Sequence, residues 1–422
     1  MNPARARRVA FLHYSAPPVI GGVENVMLAH SRLLIEAGHT PIFLAGRGGQ
    51  EALPPGAEWI LIPELDSQHP EILEISRALE QGQAPAGFEE MVARLANSLA
   101  PLIQSLDVLI VHNVFTKHFN LPLTAALFRL LDQGAMRHCV AWCHDLTWTS
   151  PRSRAKVHPG YPWDLLRTYR SDITYVTISR ERQHEMTDLF GCPPEQVRVI
   201  HNGVDPKELL ALSEEGLALI KRLNLWASNL NLLMPVRVTQ AKNMELALHV
   251  LTRLKQAGLR PKVVVTGPPD PHDPANMEYF EGLLALREQL GIVEEMRFVY
   301  ESGATRAQPV VVDMTIVAEL LRMSDALFMP SHSEGFGMPI LEAGLVGIPV
   351  FCSTTIPAAN EIGGEDVIQF SPQADPGEVA GLIITWMKNS PVHRMRRRTR
   401  QGFTWQSIFQ HEILPLVEQD DR

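Results

Sequence analysis

Cysteine is scarce in this chain: four in 422 residues, Cys139, Cys143, Cys192 and Cys352. So few and so scattered, they exclude a disulfide framework and fit a reducing compartment, so a cytoplasmic location is expected. Aromatics make up only 7% of the residues. No apolar run reaches the ~20 residues that a membrane span needs. The early stretch "VAFLHYSAPP" is too short and too polar for a signal-peptide core and reads as a first buried strand. An excess of basic charge is also missing: the formal net charge is -9, which speaks against nucleic acid as a partner. Cys139, Cys143 and His144 lack a second ligand pair at zinc spacing, so no metal site is expected. "GGVENV" is not the G-x-G-x-x-G of a dinucleotide fold, which makes a nicotinamide oxidoreductase a poor reading.

What is present is an alternation of short β-rich runs with amphipathic helical stretches, the pattern of an α/β chain whose parallel sheet is covered on both faces. The first half offers "RVAFLHY", "TPIFLAG", "EWILIP", "DVLIVHN", "HCVAWCHD" and "ITYVTIS" as strands. The second offers "NLLMPVRV", "KVVVTGP", "MRFVYES", "DALFMPS" and "PVFCST". At this length two domains are expected, each Rossmann-like: residues 1–204, residues 205–400, and a C-terminal helix over 401–422 packing back on the first. The run "RMRRRTR" (394–400) reads as a solvated helix face, with contact to an anionic surface the lesser reading.

The chemistry concentrates in "HSEGFGMPILEAG" (332–344), a turn between a strand and a helix. Pro339 suits the first helical turn, where a missing N–H costs nothing. Gly335 and Gly337 let backbone approach a ligand, and the amides of Phe336, Gly337 and Met338 lie where a helix N-terminus attracts phosphate. Glu334 and Glu342, eight positions apart, would repel a diphosphate but suit sugar and ribose hydroxyls. Taken as helix-dipole partners alone, they leave the glycine turn unexplained. Arg237 and Lys242 offer a bidentate fork and a point charge at the end of an apolar strand, a pairing fit for a dianion. His144 sits at a strand's C-terminal end, where open α/β sheets bind ligands; a capping or core histidine is the plainer alternative.

"SEGFGMPILEAGLVGIPVFCS" resembles the paired-glutamate signature of the retaining nucleotide-sugar glycosyltransferases of family four, which have the two-domain GT-B fold. "GGVENVMLAHSRLLIEAGH", "VTIS", "IHNGVD" and "VRVTQAKNMELAL" match that family in kind and in order. The resemblance implies two Rossmann-like domains facing across a cleft. It places Gly21 and Gly22 near the donor phosphates and the acceptor, Arg237 and Lys242 on the diphosphate, Glu334 near the donor sugar, Glu342 on the ribose and His144 in the active site. The implied reaction moves a hexose, glucose or mannose, from a nucleoside diphosphate sugar to a small-molecule, glycan or lipid-linked acceptor, with retention and with neither metal nor cofactor. A sugar-nucleotide epimerase and a non-catalytic nucleotide-sugar binding protein are the alternatives. Peripheral membrane contact is possible but has no support in the sequence.

Two features depart from the family pattern. Proline stands in "PVRVTQAKN" where glycine is common, and "VVTGPPDPHDPANMEYFEGLLALREQLG" is longer than the usual link, with Asp270 and Asp273 reading as turn residues. Arg152, Arg154 and Lys156 in "TSPRSRAKVHPGYPW" form a basic loop for which an anionic acceptor contact is weighed against plain solvation.

Overall fold

The computed structural model describes residues 5–269, 274–303 and 308–419. The chain divides into two compact units, one of Met1–Gly203 with Trp405–Arg422 and one of Val204–Thr404. Seven strands build the first: β1 (Arg8–His13), β2 (Thr40–Ala45), β3 (Glu58–Leu61), β4 (Val108–His112), β5 (Cys139–Cys143), β6 (Ile173–Thr177) and β7 (Val197–Val199). They pair in the order β3-β2-β1-β4-β5-β6-β7, all parallel. Every residue of β4 ("VLIVH") and β5 ("CVAWC") is buried, as central strands covered on both faces require. One face packs Leu12, Leu44, Leu109 and Ala141 against the helices Gly87–Ile103 and Leu121–Asp132. The other packs Phe11, Phe43, Ile110 and Trp142 against the Gly22–Glu36 helix and, from the chain's end, Ile408, Phe409, Ile413 and Leu416.

The second unit repeats the plan with β8 (Leu230–Met234), β9 (Pro261–Val265), β10 (Met296–Phe298), β11 (Ala326–Met329), β12 (Val350–Ser353) and β13 (Ile368–Phe370). Their order, β10-β9-β8-β11-β12-β13, is again wholly parallel. Each sheet thus reverses direction once, between β1 and β4 and between β8 and β11. That reversal opens a crevice at the carboxyl ends of the two strands, where doubly wound sheets take their ligands.

Three expectations need correction. The stretch expected as strand over 231–238 stops at Met234, because Pro235 cannot donate to the ladder, so Arg237 rides on a loop beyond it. The tail forms helix only from Trp405, interrupted by a wider turn over Phe409–Ile413. The run 394–400 is not simply solvated: Arg400 is buried and holds the buried carboxylate of Asp325 through two 3.0 Å contacts, with Arg396 4.0 Å from the same group. Asp325 also accepts from the Asn231 amide at 2.8 Å, so this pair ties the Pro391–Gly402 helix to the start of β8 and β11. No helix among the described residues is long and apolar enough to cross a membrane.

Candidate active site

In the second unit the expected residues converge on the carboxyl ends of β8 and β11. β11 runs out through Pro330 and Ser331 into the turn that holds Glu334, and the Met338–Val346 helix follows. Gly337 caps that helix with φ 102°, and a Cβ there would stand 2.5 Å from Ile356 Cγ2. Both the backbone and the packing therefore demand glycine. Gly335 differs: a Cβ would meet nothing within 4 Å and its φ is ordinary, so the fold itself does not require glycine there. Pro339 falls in the first turn, and Glu342 lies about a turn in, half-buried.

Lys242 and Glu334 meet directly, Nζ to Oε2 at 2.6 Å, with side chains only 18% and 11% exposed. Ser331 Oγ donates to the other carboxylate oxygen of Glu334 at 2.7 Å. The two loops are also tied through backbone, since the His332 amide donates to Ala241 O at 2.8 Å. Such a pair, drawn partly out of water, gains from the lowered local dielectric and fixes both side chains. Arg237 is exposed on the same β8 loop, and Gly267 packs so closely beneath it that a Cβ would stand 2.7 Å from Arg237 Cα.

Asn243, absent from the expected site, is the clamp of this region. It takes a left-handed conformation (φ 53°) at the start of the Met244–Gln256 helix. Its buried amide donates to Pro330 O at 3.0 Å and to Pro372 O at 2.9 Å. The one local signal for it is the residue type, since asparagine tolerates that conformation better than other side chains.

In the first unit the corresponding strand ends are those of β1, β4 and β5. His144 follows β5 and is only 7% exposed. Its backbone N–H donates to Asn113 Oδ1 at 2.8 Å, and its Nε2 lies 3.2 Å from His112 Nδ1. Burial, aided by the nearby His13, lowers the His144 pKa to about 4, while Asp145 opposes the shift. His144 is therefore a neutral ring at pH 7, able to give and take hydrogen bonds. Asn113, at φ 63°, holds both the His144 and Asp145 amides and is a second residue that sequence reading missed. So is Lys117, buried beside Asp145 with its pKa lowered by desolvation.

Gly21 and Gly22 open the Gly22–Glu36 helix, but a carboxylate already stands there. Glu24 is buried, accepts from Ser15 Oγ at 2.5 Å, and its Oε2 lies 2.1 Å from where a Gly21 Cβ would be. A phosphate approaching these glycines would meet that acid. In the basic loop, Lys156 pairs with Glu80 at 2.8 Å and Arg154 lies over the Trp148 ring at 4.4 Å, so two of its three cations already have partners. Cys143 is buried with its thiol pushed up to about 12, which is the behaviour of core packing. Asp270 and Asp273 lie outside the described residues.

Two family models match the chain: "Glycosyltransferase Family 4" over residues 20–208 and "Glycosyl transferases group 1" over residues 224–402. A glycogen synthase of Mycobacterium tuberculosis H37Rv is 24% identical over 95% of this chain and 92% of its own. An MMP alpha-(1->4)-mannosyltransferase of Mycolicibacterium hassiacum is 25% identical over 95% of each chain. An uncharacterized glycosyltransferase of Methanocaldococcus jannaschii is 24% identical over 59% of this chain and 61% of its own. Among solved structures, a glycosyltransferase from Rickettsia africae aligns over 98% of both chains at 16% identity and a TM-score of 0.37. Anabaena HepE in complex with UDP and glucose aligns over 98% of this chain and all of its own, at 18% identity and a TM-score of 0.35.

Proposed function

Because this chain belongs to the family 4 glycosyltransferases, we propose that it moves a hexose, glucose or mannose, from a nucleoside diphosphate sugar to an acceptor hydroxyl with retention at the anomeric carbon. The observation that carries this reading is the grouping of Arg237, Lys242 and Glu334 at the carboxyl ends of β8 and β11, beside a helix N-terminus. Arg237, Lys242 and the amides of Phe336, Gly337 and Met338 offset the charge that grows on the departing diphosphate. Lys242 does so from a position set by Glu334, whose carboxylate also faces the sugar hydroxyls. Glu342 accepts from the ribose. His144, neutral at working pH, orients sugar or acceptor hydroxyls and does not act as a fixed cation. Gly21 and Gly22, with Glu24 over them, suit an uncharged acceptor group better than a phosphate.

Fixed cations at the diphosphate remove the need for a divalent ion, so the enzyme is proposed to be metal-independent and cofactor-free, with the nucleotide sugar as its donor substrate. The test is product analysis with candidate donors, with and without sugar acceptors, in excess chelator. Nucleoside diphosphate release that depends on acceptor, with product and donor sharing anomeric configuration by NMR, is the expected result. An altered sugar still attached to nucleotide, formed without acceptor, makes the protein an epimerase. Activity lost in chelator and restored by Mg²⁺ or Mn²⁺ overturns metal independence.

A further inference from the structure

The first unit carries a lone pair that its own fold leaves unused. β1, β4 and β5, neighbours in the sheet, end at or just before His13, His112 and His144, so three histidines meet at the crevice. They are not equivalent. His112 is wholly buried; its Nδ1 faces His144 Nε2, and its Nε2 is sealed in with no partner among the described residues. His13 is 7% exposed, and its Nδ1 lies 3.0 Å from the His112 carbonyl oxygen. A carbonyl only accepts, so Nδ1 carries the hydrogen and donates it. Burial lowers the His13 pKa against the opposing pull of that bond and of Glu24, so the ring is neutral at pH 7 and Nε2 holds a lone pair. This nitrogen is bonded to no described residue, yet it is not sealed in as His112 Nε2 and both nitrogens of His30 are. Tyr14 packs on the ring at 4.9 Å between centroids and His112 meets it edge-on at 6.4 Å, which fixes the direction of Nε2.

Glu24 is the second acceptor at this corner. Its Oε1 takes the Ser15 hydroxyl, while Oε2, the atom beside Gly21, meets no donor among the described residues. Its charge acts on His13. The cation of Lys117, over the Phe119 ring at 5.0 Å, is answered by Asp145 instead. A lone pair and a carboxylate oxygen, each held by a bond on its far side, match a group that brings hydrogen-bond donors and repel a phosphate. Resting on the reading of the Gly21–Gly22 loop as the acceptor's, we propose that His13 is an acceptor-binding residue. Its Nε2 takes the hydrogen bond of one hydroxyl on an uncharged sugar or polyol, and Glu24 Oε2 takes that of another.

The full chain labelled with ¹⁵N at histidine tests this without turnover. Long-range ¹H–¹⁵N spectra, with His13 assigned by its loss in His13→Asn, should show the Nδ1–H form in the free protein. The Nε2 signal should move when glucose, mannose, maltose or glycerol is added with UDP or GDP present. His13→Asn keeps a donor for the His112 carbonyl but has no acceptor at Nε2, whereas His13→Gln places a carbonyl oxygen near that point. In turnover, His13→Asn should raise the KM for the sugar acceptor roughly two- to tenfold with UDP or GDP affinity unchanged, and His13→Gln should recover much of the loss. The wild-type spectra decide the matter if either variant fails to fold. An Nε2–H ring in the free protein, a signal that none of these probes moves, or an unchanged acceptor KM in His13→Asn overturns the proposal. So does a shift toward the protonated ring with inorganic phosphate alone, which makes this corner an anion site. A sugar-induced shift without acceptor-dependent nucleotide release upholds the His13 contact and removes the transferase reading instead.

Discussion

Lowering the pH should destabilise the first unit well before its carboxylates titrate, because its core holds histidines that resist protonation. His30 is fully buried between Trp142 and Trp405, 5.0 and 5.2 Å between ring centroids, and neither ring nitrogen has a partner among the described residues. Burial, with a contribution from His144, lowers its pKa to about 3, and burial lowers that of His144 to about 4. In the unfolded chain both return to about 6.5. Below pH 6.5 the unfolded state therefore binds protons that the folded state refuses, and stability falls with pH until the folded pKa values are reached. At pH 5 each group has crossed about 1.5 units, costing about 2 kcal/mol apiece and ~4 kcal/mol together. That is a large share of the ~5–15 kcal/mol that holds a typical domain. Urea titrations at pH 7.5, 6 and 5, followed by the fluorescence of the tryptophans around His30, measure the loss. His30→Phe keeps the ring and removes the titration, so about 2 kcal/mol of the loss should vanish, the rest staying with His144, His112 and His118, whose pKa values burial also lowers. Stability that is flat from pH 6.5 to 5, or an unchanged slope in His30→Phe, would refute the reasoning.

Other perturbations have equally definite outcomes. Arg400→Met strips Asp325 of its two 3.0 Å contacts, leaving Arg396, more distant at 4.0 Å, as its cation, and should cost ~3 kcal/mol in the second unit, read by chemical denaturation; a loss under ~1 kcal/mol would contradict that burial. Gly337→Ala forces a side chain into a left-handed position against Ile356 and should lower stability by roughly 1–3 kcal/mol. Glu342→Gln should mainly weaken nucleotide binding, by about 0.5–1.5 kcal/mol, while Glu334→Gln should lower kcat more than KM, since it loosens Lys242 as well. Wild-type kinetics in both glutamate variants would remove the 332–344 turn from the site.

Six strands of the first sheet and five of the second are legible in the sequence because each is an apolar run bounded by turn residues. Those that escaped, Val197–Val199 and Ile368–Phe370, are three-residue edge strands; Met296–Phe298, equally short and also at an edge, was legible because its apolar run continues through Val299 and Tyr300. The glycine turn at 335–337 is likewise visible locally, and so is the proline that starts its helix. What no local pattern carries is the pairing of residues distant in sequence. Lys242 and Glu334 lie 92 positions apart and Asp325 and Arg400 75 apart, so a charge that reads as solvated proves to be an anchor. Asn113 and Asn243 escaped for a related reason: an asparagine that clamps two loops looks, in sequence, like any turn residue. Glu24 shows the reverse case, an ordinary helix-start acid whose fold over Gly21 changes what that loop can bind.

On the proposed function, the loops after β8 and β11 hold a nucleoside diphosphate. Calorimetric titration of UDP and GDP into the wild type, Arg237→Ala, Lys242→Ala and the surface variant Arg152→Ala tests it most directly. Removing either cation from the diphosphate should weaken binding by about 1.5–3 kcal/mol, roughly ten- to a hundredfold in Kd, with Arg152→Ala binding like the wild type. Failure of the wild type to bind either nucleotide, or wild-type affinity in both Arg237→Ala and Lys242→Ala, would contradict it.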